Sequence, residues 1–474
     1  MAKEKNKKEK LSDKLFYKLK NCWEGIDKKT EKEVEEFASS YKHFLNEGKT
    51  ERECTEAVIA MLEKNGFVNI DTLSQKTLKP GMKVYRNIRD KSVLAAVIGK
   101  SPAAEGCNIL GAHIDSPRLD LKQNPLYEDS ELALFDTHYY GGIKKYQWTA
   151  IPLSMHGVFV NEAGKKTTIR IGEDSGDPVF TITDLLPHLA KEQMEKKASV
   201  AVEGEDLDIL AGSRPYDDKD EKEKVKLYLL NILNKKYGIT EKDFASAEIE
   251  FVPAFKASDV GLDRSMIGSY GHDDRCCAWP ALQALVEISK EKTAPAKTLV
   301  CYLSDKEETG SAGNTGARSL SFENFLAFLC GGSFSDMRQC FLRSSMLSAD
   351  VDAAFDPTYA GVFDKKNGSF LGKGISFSKY TGSGGKYGAS DANAEFCAKV
   401  QAILNRNNIQ WQFGELGKVD KGGGGTIALY AANLGMDVLD CGMPVLSMHS
   451  PFEVISKIDL YMTYLGYIAF LREA

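Results

Sequence analysis

Apolar side chains recur at helical spacing through residues 31–65, which predicts two helices with Gly48, Lys49 and Thr50 as the turn and Gly66 as the stop. MKVYRNI and SVLAAVIG follow as short β-rich runs, and CNILGAH is an apolar run beginning at Cys107. From about 121 to 262 the pattern changes to β-branched alternation in IPLSMHGVFV, KKTTIRIG and PVFTITDLL, the mark of an antiparallel sheet. That stretch also holds a charge-dense loop at 217–224 and an apolar helix, VKLYLLNILNKKYG. Beyond 263, strand-like TLVCYLSD, MLSADV, IQWQFGE and DVLDCGM alternate with helical stretches near 274–290, 391–406, 426–435 and 456–472. The pattern therefore predicts one α/β domain, residues 1–120 and 263–474, interrupted by a mostly β insert at 121–262. There is no internal repeat. GSGGKYG and KGGGGT read as tight loops that need positive φ or close backbone approach.

Composition narrows the function classes. With 474 residues the chain spans two or three domains at ~150 residues each. It carries 61 basic and 67 acidic side chains, a net charge of −6, which argues against nucleic acid or an anionic membrane as partner. No apolar run approaches the ~18 residues of a membrane span. The lysine-rich start, MAKEKNKKEK, has no apolar segment behind it, so it reads as a frayed end (residues 1–12) rather than a signal peptide. Ten scattered cysteines without a CxxC pair fit a reduced, cytoplasmic setting, and Cys276 and Cys277 read as helix packing.

The chemistry-bearing residues fall where strands are predicted to end. His113 closes NILGAH and is followed by Asp115. TLVCYLSD runs into Glu307 and Glu308, SMLSA runs into Asp350 and Asp352, and His449 follows the apolar run VLDCGMPVLSM. Asp273, in GHDDR, opens a helix. Ligands in open α/β sheets gather outside the carboxyl ends of the strands, so these groups would converge on one crevice. Imidazole with carboxylate suits Zn²⁺, with Co²⁺ or Mn²⁺ as alternatives, and five candidates with one bridging Asp fit two metals about 3.5–4 Å apart. Alone, each group also reads as ordinary structure: a satisfied histidine, a solvated glutamate pair, a helix N-cap. Of the remaining histidines, His272 reads as structural and His188 as packed in a helix of the insert.

Taken together, GAHIDSPRLDLK (111–122), GHDDRCCAW (271–279), SDKEETGS (304–311), SADVDAAFDP (348–357) and MPVLSMHSPFE (443–453) resemble the five motifs of the aspartyl aminopeptidase family, in order and at compatible separations. YGGIKKYQW (140–148) is similar to the segment that opens that family's inserted domain. The resemblance implies a phosphorylase/hydrolase-like mixed sheet with helices on both faces. It also implies an insert that mediates dimer contacts and caps the site, and a tetrahedral dodecamer built from dimers. It implies two Zn²⁺ per subunit, with His113, Asp273, Glu308, Asp350 and His449 as metal ligands, Asp273 bridging. Asp115 would orient His113, and Glu307 would act as general base in removing N-terminal residues from short peptides. Eukaryotic members carry a histidine three residues after the metal-binding Asp, where it helps receive an acidic side chain. Ala353 stands there in this chain, so a strict preference for acidic residues is not expected. A dizinc dipeptidase or deacylase of small amides, or a non-catalytic assembly scaffold, is the alternative reading.

Overall fold

Seven consecutive buried residues, Cys107–His113, form a strand with no solvent-facing side, as expected inside a sheet covered on both faces. In the computed structural model, which describes residues 10–74 and 78–474, this strand lies at the middle of a nine-stranded mixed sheet. The order is Val68–Asn69, Lys83–Ile88, Ser92–Val97, Thr298–Ser304, Cys107–His113, Ser345–Ser348, Asp437–Gly442, Ile375–Ser378 and Trp411–Phe413. The four strands from Thr298–Ser304 to Asp437–Gly442 are parallel to their neighbours within that group, with Ser304 level with His113 and Ser348 level with Gly111 and Asp440. Their carboxyl ends therefore open at one edge.

Helices cover both faces. On one, helix His272–Ser289 is buried nearly all round, as a helix apolar on every side must be. Phe44 of helix Lys28–Glu47 stacks on its Trp279 at 4.8 Å. Helix Glu51–Lys64 follows through a capping box in which Thr50 and Glu53 satisfy each other's backbone N–H groups, and helices Ala394–Arg406 and Lys457–Glu473 pack in the same layer. On the other face, helices Ser321–Leu329, Phe334–Arg343 and Ala428–Asn433 pack over Ile109, Val300 and Met346. The first two go beyond the pattern read above, since nine and ten residues are too few for a helical period to stand out. Of the lysine-rich start, residues 1–9 lie outside the described residues, and Leu11–Leu15 form a short helix.

The chain between Arg118 and Pro253 builds a second, seven-stranded sheet, ordered Lys166–Ile171, Leu153–Val160, Glu248–Pro253, Arg118–Asp129, Leu132–Tyr140, Ile209–Gly212 and Thr181–Ile182. All its neighbouring strands are antiparallel. PVFTITDLL contributes only Thr181–Ile182, and His188 lies in an exposed turn rather than the helix expected for it. LLPHLAKEQ has apolar residues but nothing opposite to bury them, and Leu185, Leu186 and Leu189 stay exposed.

Buried charges tie this sheet to the helical layer that covers the first. Lys49, just before the capping box, pairs with Glu173 at 2.7 Å with both side chains almost fully buried, and its Nζ also donates to the Pro253 carbonyl. His156 bridges Glu53 (2.7 Å) and Glu173 (3.2 Å). Burial opposes ionisation of Glu173, but His156 and Lys49 outweigh it and hold the carboxyl down at about 2. Burial likewise disfavours the charged form of His156, yet Glu173 and Glu53 raise it above the ordinary imidazole value. The depressed Glu173 stabilises the fold above its unfolded pKa of about 4.5, and that stability is lost as pH falls towards 2; the raised His156 stabilises it below about 6.5 and loses the effect as pH rises through its folded pKa. The tie is therefore strongest near pH 5–6. Thermal melts across pH are expected to show Glu173→Gln less stable than the wild type near pH 5.5, with a shallower acid limb between pH 4.5 and 2.

Candidate active site

His113 is the last residue of the central strand. Its backbone N–H donates to Asp274 Oδ2 (3.2 Å), and its Nδ1 faces the Asp115 carbonyl oxygen at 3.1 Å and Oδ1 at 3.3 Å. A proton held on Nδ1 by Asp115 leaves the Nε2 lone pair directed into the cleft. Asp273 stands in the first turn of helix His272–Ser289 with non-helical φ −77° and ψ 109°. The approach needs a glycine: Gly271 has φ +75°, and a Cβ there would sit 1.9 Å from Arg275 Nη1. Arg275, fully buried, anchors this turn by donating to the carbonyls of Lys49 and Ile114. Glu307 and Glu308 occupy a single 3₁₀ turn between Lys306 (φ +68°) and Gly310 (φ +85°), just past strand Thr298–Ser304. Their backbone N–H groups both donate to the Asp115 carboxylate, at 3.1 and 3.2 Å.

The side chains meet around Asp273. His113 Nε2 lies 3.2 Å from Asp273 Oδ1 and 3.8 Å from Asp350 Oδ1. His449 Nε2 lies 3.1 Å from Asp273 Oδ2 and 3.4 Å from Glu308 Oε2. One Asp273 oxygen therefore faces each imidazole, as a bridging carboxylate would require. Among the described residues three groups are compact enough to hold an ion, and two of them lie on His113: His113, Asp273 and Glu308, and His113, Asp274 and Asp350; the third is Asp274, Cys276 and Cys277.

So many acids cannot all be ionised here without countercharge. Burial, with Asp273 beside it, pushes Glu308 well above the carboxylate range; burial and Asp350 push Glu307 up to about 8. Burial raises Asp350 as well. Asp273 goes the other way: His113 and His449 overcome its burial and hold it low. Glu308 Oε1 and Asp274 Oδ1 are buried without a hydrogen-bond partner, and Asp273 Oδ1 faces His113 without hydrogen-bond alignment. Orphaned carboxylate oxygens beside two imidazoles fit divalent zinc, whose ligands are N and O donors of this kind.

All seven residues singled out from the sequence, His113, Asp115, Asp273, Glu307, Glu308, Asp350 and His449, gather here. Asp273, Glu307, Glu308, Asp350 and His449 line a cleft of about 760 Å³, with His113 and Asp115 buried directly behind. Asp352 is otherwise engaged: the hydroxyls of Ser369 and Ser376 donate to it. His272 is buried between Tyr41 Oη and the Ile267 carbonyl, a structural histidine. Two residues lay beyond the sequence reading. Asp274 carries the His113 backbone, and Glu453 accepts the N–H of Asp273 on one oxygen (3.0 Å) and that of His449 on the other (2.7 Å). Glu453 stands inside MPVLSMHSPFE, four residues after His449, where its acid was the available signal.

The sequence pattern of the family described as Aminopeptidase I zinc metalloprotease (M18) matches residues 44–471. The chain belongs to this family. The probable M18 family aminopeptidase 1 of Clostridium acetobutylicum is 53% identical over 464 residues, covering 97% of this chain and 99% of that protein. The crystal structure of the M18 aminopeptidase from Thermotoga maritima superimposes with a TM-score of 0.92 at 45% identity, covering 97% and 100% of the two chains. The S. cerevisiae mApe1 dodecamer, at 21% identity and a TM-score of 0.74, covers 92% and 97% and shares the fold. An M18 member at this identity is a zinc metallopeptidase that removes N-terminal residues.

Proposed function

We propose that this M18 peptidase works through two zinc ions per subunit, held by His113, Asp273, Glu308, Asp350 and His449. The observation that carries this reading is the Asp273 carboxylate, with one oxygen against each imidazole. Bound zinc supplies Lewis-acid polarisation of the scissile carbonyl and acidifies water towards neutral pH. The chain's own residues do the rest. Glu307, held beside the cluster at the end of the strand Thr298–Ser304, takes a proton from the attacking water and passes it to the leaving amine nitrogen as the C–N bond breaks. Asp115 fixes the backbone of Glu307 and orients His113. The carboxylates around the cleft, or the zinc they hold, meet the free α-amine of the substrate.

Substrates are short peptides, and neutral N-terminal residues are preferred to acidic ones. Among the described residues lining the cleft, the lysines are committed elsewhere: Lys386 pairs with Asp391 at 2.9 Å and lies 3.7 Å from the centre of the Tyr380 ring, and Lys418 donates to the Gly361 carbonyl. Glu415 and Asp420 add negative charge to the same wall, and Ala353 leaves out the histidine of the acid-selective pattern.

The insert at 121–262 serves as dimer contact and lid on a phosphorylase/hydrolase-like core, and the subunits assemble as a tetrahedral dodecamer. The shared fold with the mApe1 dodecamer supports the assembly. Ten free cysteines support a cytoplasmic location; among the described residues, no helix is long and apolar enough to cross a membrane.

Three outcomes are expected. Glu307→Gln loses activity by about 10²–10⁴-fold while elemental analysis still finds two zinc ions per chain. In a panel of aminoacyl-arylamides, neutral residues are cleaved at least about 10-fold faster than Asp or Glu, a difference of about 1.4 kcal/mol; inert neutral substrates would overturn the preference. Sedimentation gives a mass near twelve 52.3 kDa subunits rather than a monomer or dimer.

A further inference from the structure

Strand Leu132–Tyr140 belongs to the second sheet, yet its last residue and the two glycines after it stand against the catalytic cluster. Tyr140 Oη donates to Asp115 Oδ2 at 2.7 Å. That is the shortest contact of a carboxylate that also receives the N–H groups of Glu307 and Glu308 and faces His113 Nδ1. The phenol is itself braced. The Arg118 guanidinium lies 3.9 Å from its ring centre, and Glu51, Asp120 and Glu250 hold that guanidinium in turn. Two residues on, the Gly142 carbonyl accepts from His449 Nδ1 at 2.9 Å, which leaves Nε2 facing Asp273 and Glu308. Side chains would be tight here: a Cβ at Gly142 would lie 3.3 Å from His449 Nδ1, and one at Gly141, where φ is +75°, 3.3 Å from Glu308 Cβ.

We propose that residues 140–142 are a positioning element of the metal site, the Tyr140 hydroxyl fixing Asp115 and the Gly142 carbonyl fixing the tautomer of His449. This rests on the metallopeptidase reading above. The two contacts act on opposite sides of Asp273, so a segment running out of the second sheet orients both imidazoles. Without the hydroxyl, Asp115 Oδ2 keeps only the longer bond from Glu308 N–H. The carboxylate is then free to turn, and both His113 and the Glu307 turn lose a brace. Partners of this kind, one shell out from a metal, are worth about 10–100-fold in metal affinity or activity.

Tyr140→Phe removes the hydrogen bond and keeps the ring and its packing on Arg118. Gly142→Ala keeps the carbonyl and crowds His449. Tyr139→Phe is the control, since alternate residues of a strand face opposite sides and Tyr139 is 39% exposed. Zinc affinity of metal-stripped protein is read by competition with a chromophoric chelator, alongside thermal midpoints and steady-state kinetics. Tyr140→Phe and Gly142→Ala are expected to bind zinc about 10-fold more weakly, and Tyr140→Phe to lower kcat about 10–100-fold with KM nearly unchanged; Tyr139→Phe matches the wild type. Zinc affinity and kcat unchanged in Tyr140→Phe would overturn the proposal, as would a loss of thermal stability alone. A wild-type protein that takes up no zinc would overturn the metallopeptidase reading instead.

Discussion

The carboxylate of Asp273 stands between two imidazoles, one oxygen to each, in the first turn of a helix buried on nearly every side. Such a group is costly to keep charged away from water, so its surroundings are arranged around it. Gly271 admits the sharp entry into the helix, Arg275 bolts the turn to two carbonyls, and Glu453 takes the backbone N–H groups of Asp273 and His449 on its two oxygens. The parallel strands contribute by bringing His113, Glu307, Glu308 and Asp350 to the same edge. The crowding of acids, unfavourable by itself, would be relieved by the zinc that this family uses, which would tie the order of the site to its metal.

That edge is not built by the main sheet alone. The capping box that starts helix Glu51–Lys64 is also where the second sheet attaches, through Lys49, Glu53 and their partners Glu173 and His156. A local device for starting a helix thus doubles as a long-range joint. Arg118 makes the same link from the other side, contacting Glu51 of that helix while lying over the ring of Tyr140. Arg118 thereby connects Glu51, in the first turn of that helix, to Tyr140, whose hydroxyl reaches Asp115 beside the candidate metal site.

Much of this was legible in the sequence because its signals are strong. Continuous apolar runs such as CNILGAH and TLVCYLS can only be central strands when both faces are covered, and a polar residue at the end of such a run has nowhere to go but the sheet edge. The same reasoning fails for short or one-sided elements. Helices Ser321–Leu329 and Phe334–Arg343 are too brief for periodicity, and the apolar residues near His188 mimic a helix while remaining exposed. Glu453 and Asp274 escaped for another reason. Their work is to accept backbone N–H groups, and a residue that braces main chain leaves no pattern that distinguishes it from any other acid. The contacts of Asp274 with His113 and of Glu453 with Asp273 span 161 and 180 positions, which spacing along the chain cannot encode.

The two glycine-rich loops that border the cleft close on each other through main chain. Gly382 N–H donates to the Gly424 carbonyl at 2.6 Å, and a Cβ on Gly423 would come within 2.2 Å of the Gly382 oxygen. Because the two loops meet through peptide groups, a side chain at Gly423 would force them apart, and this wall of the cleft keeps its shape only with glycine at that position.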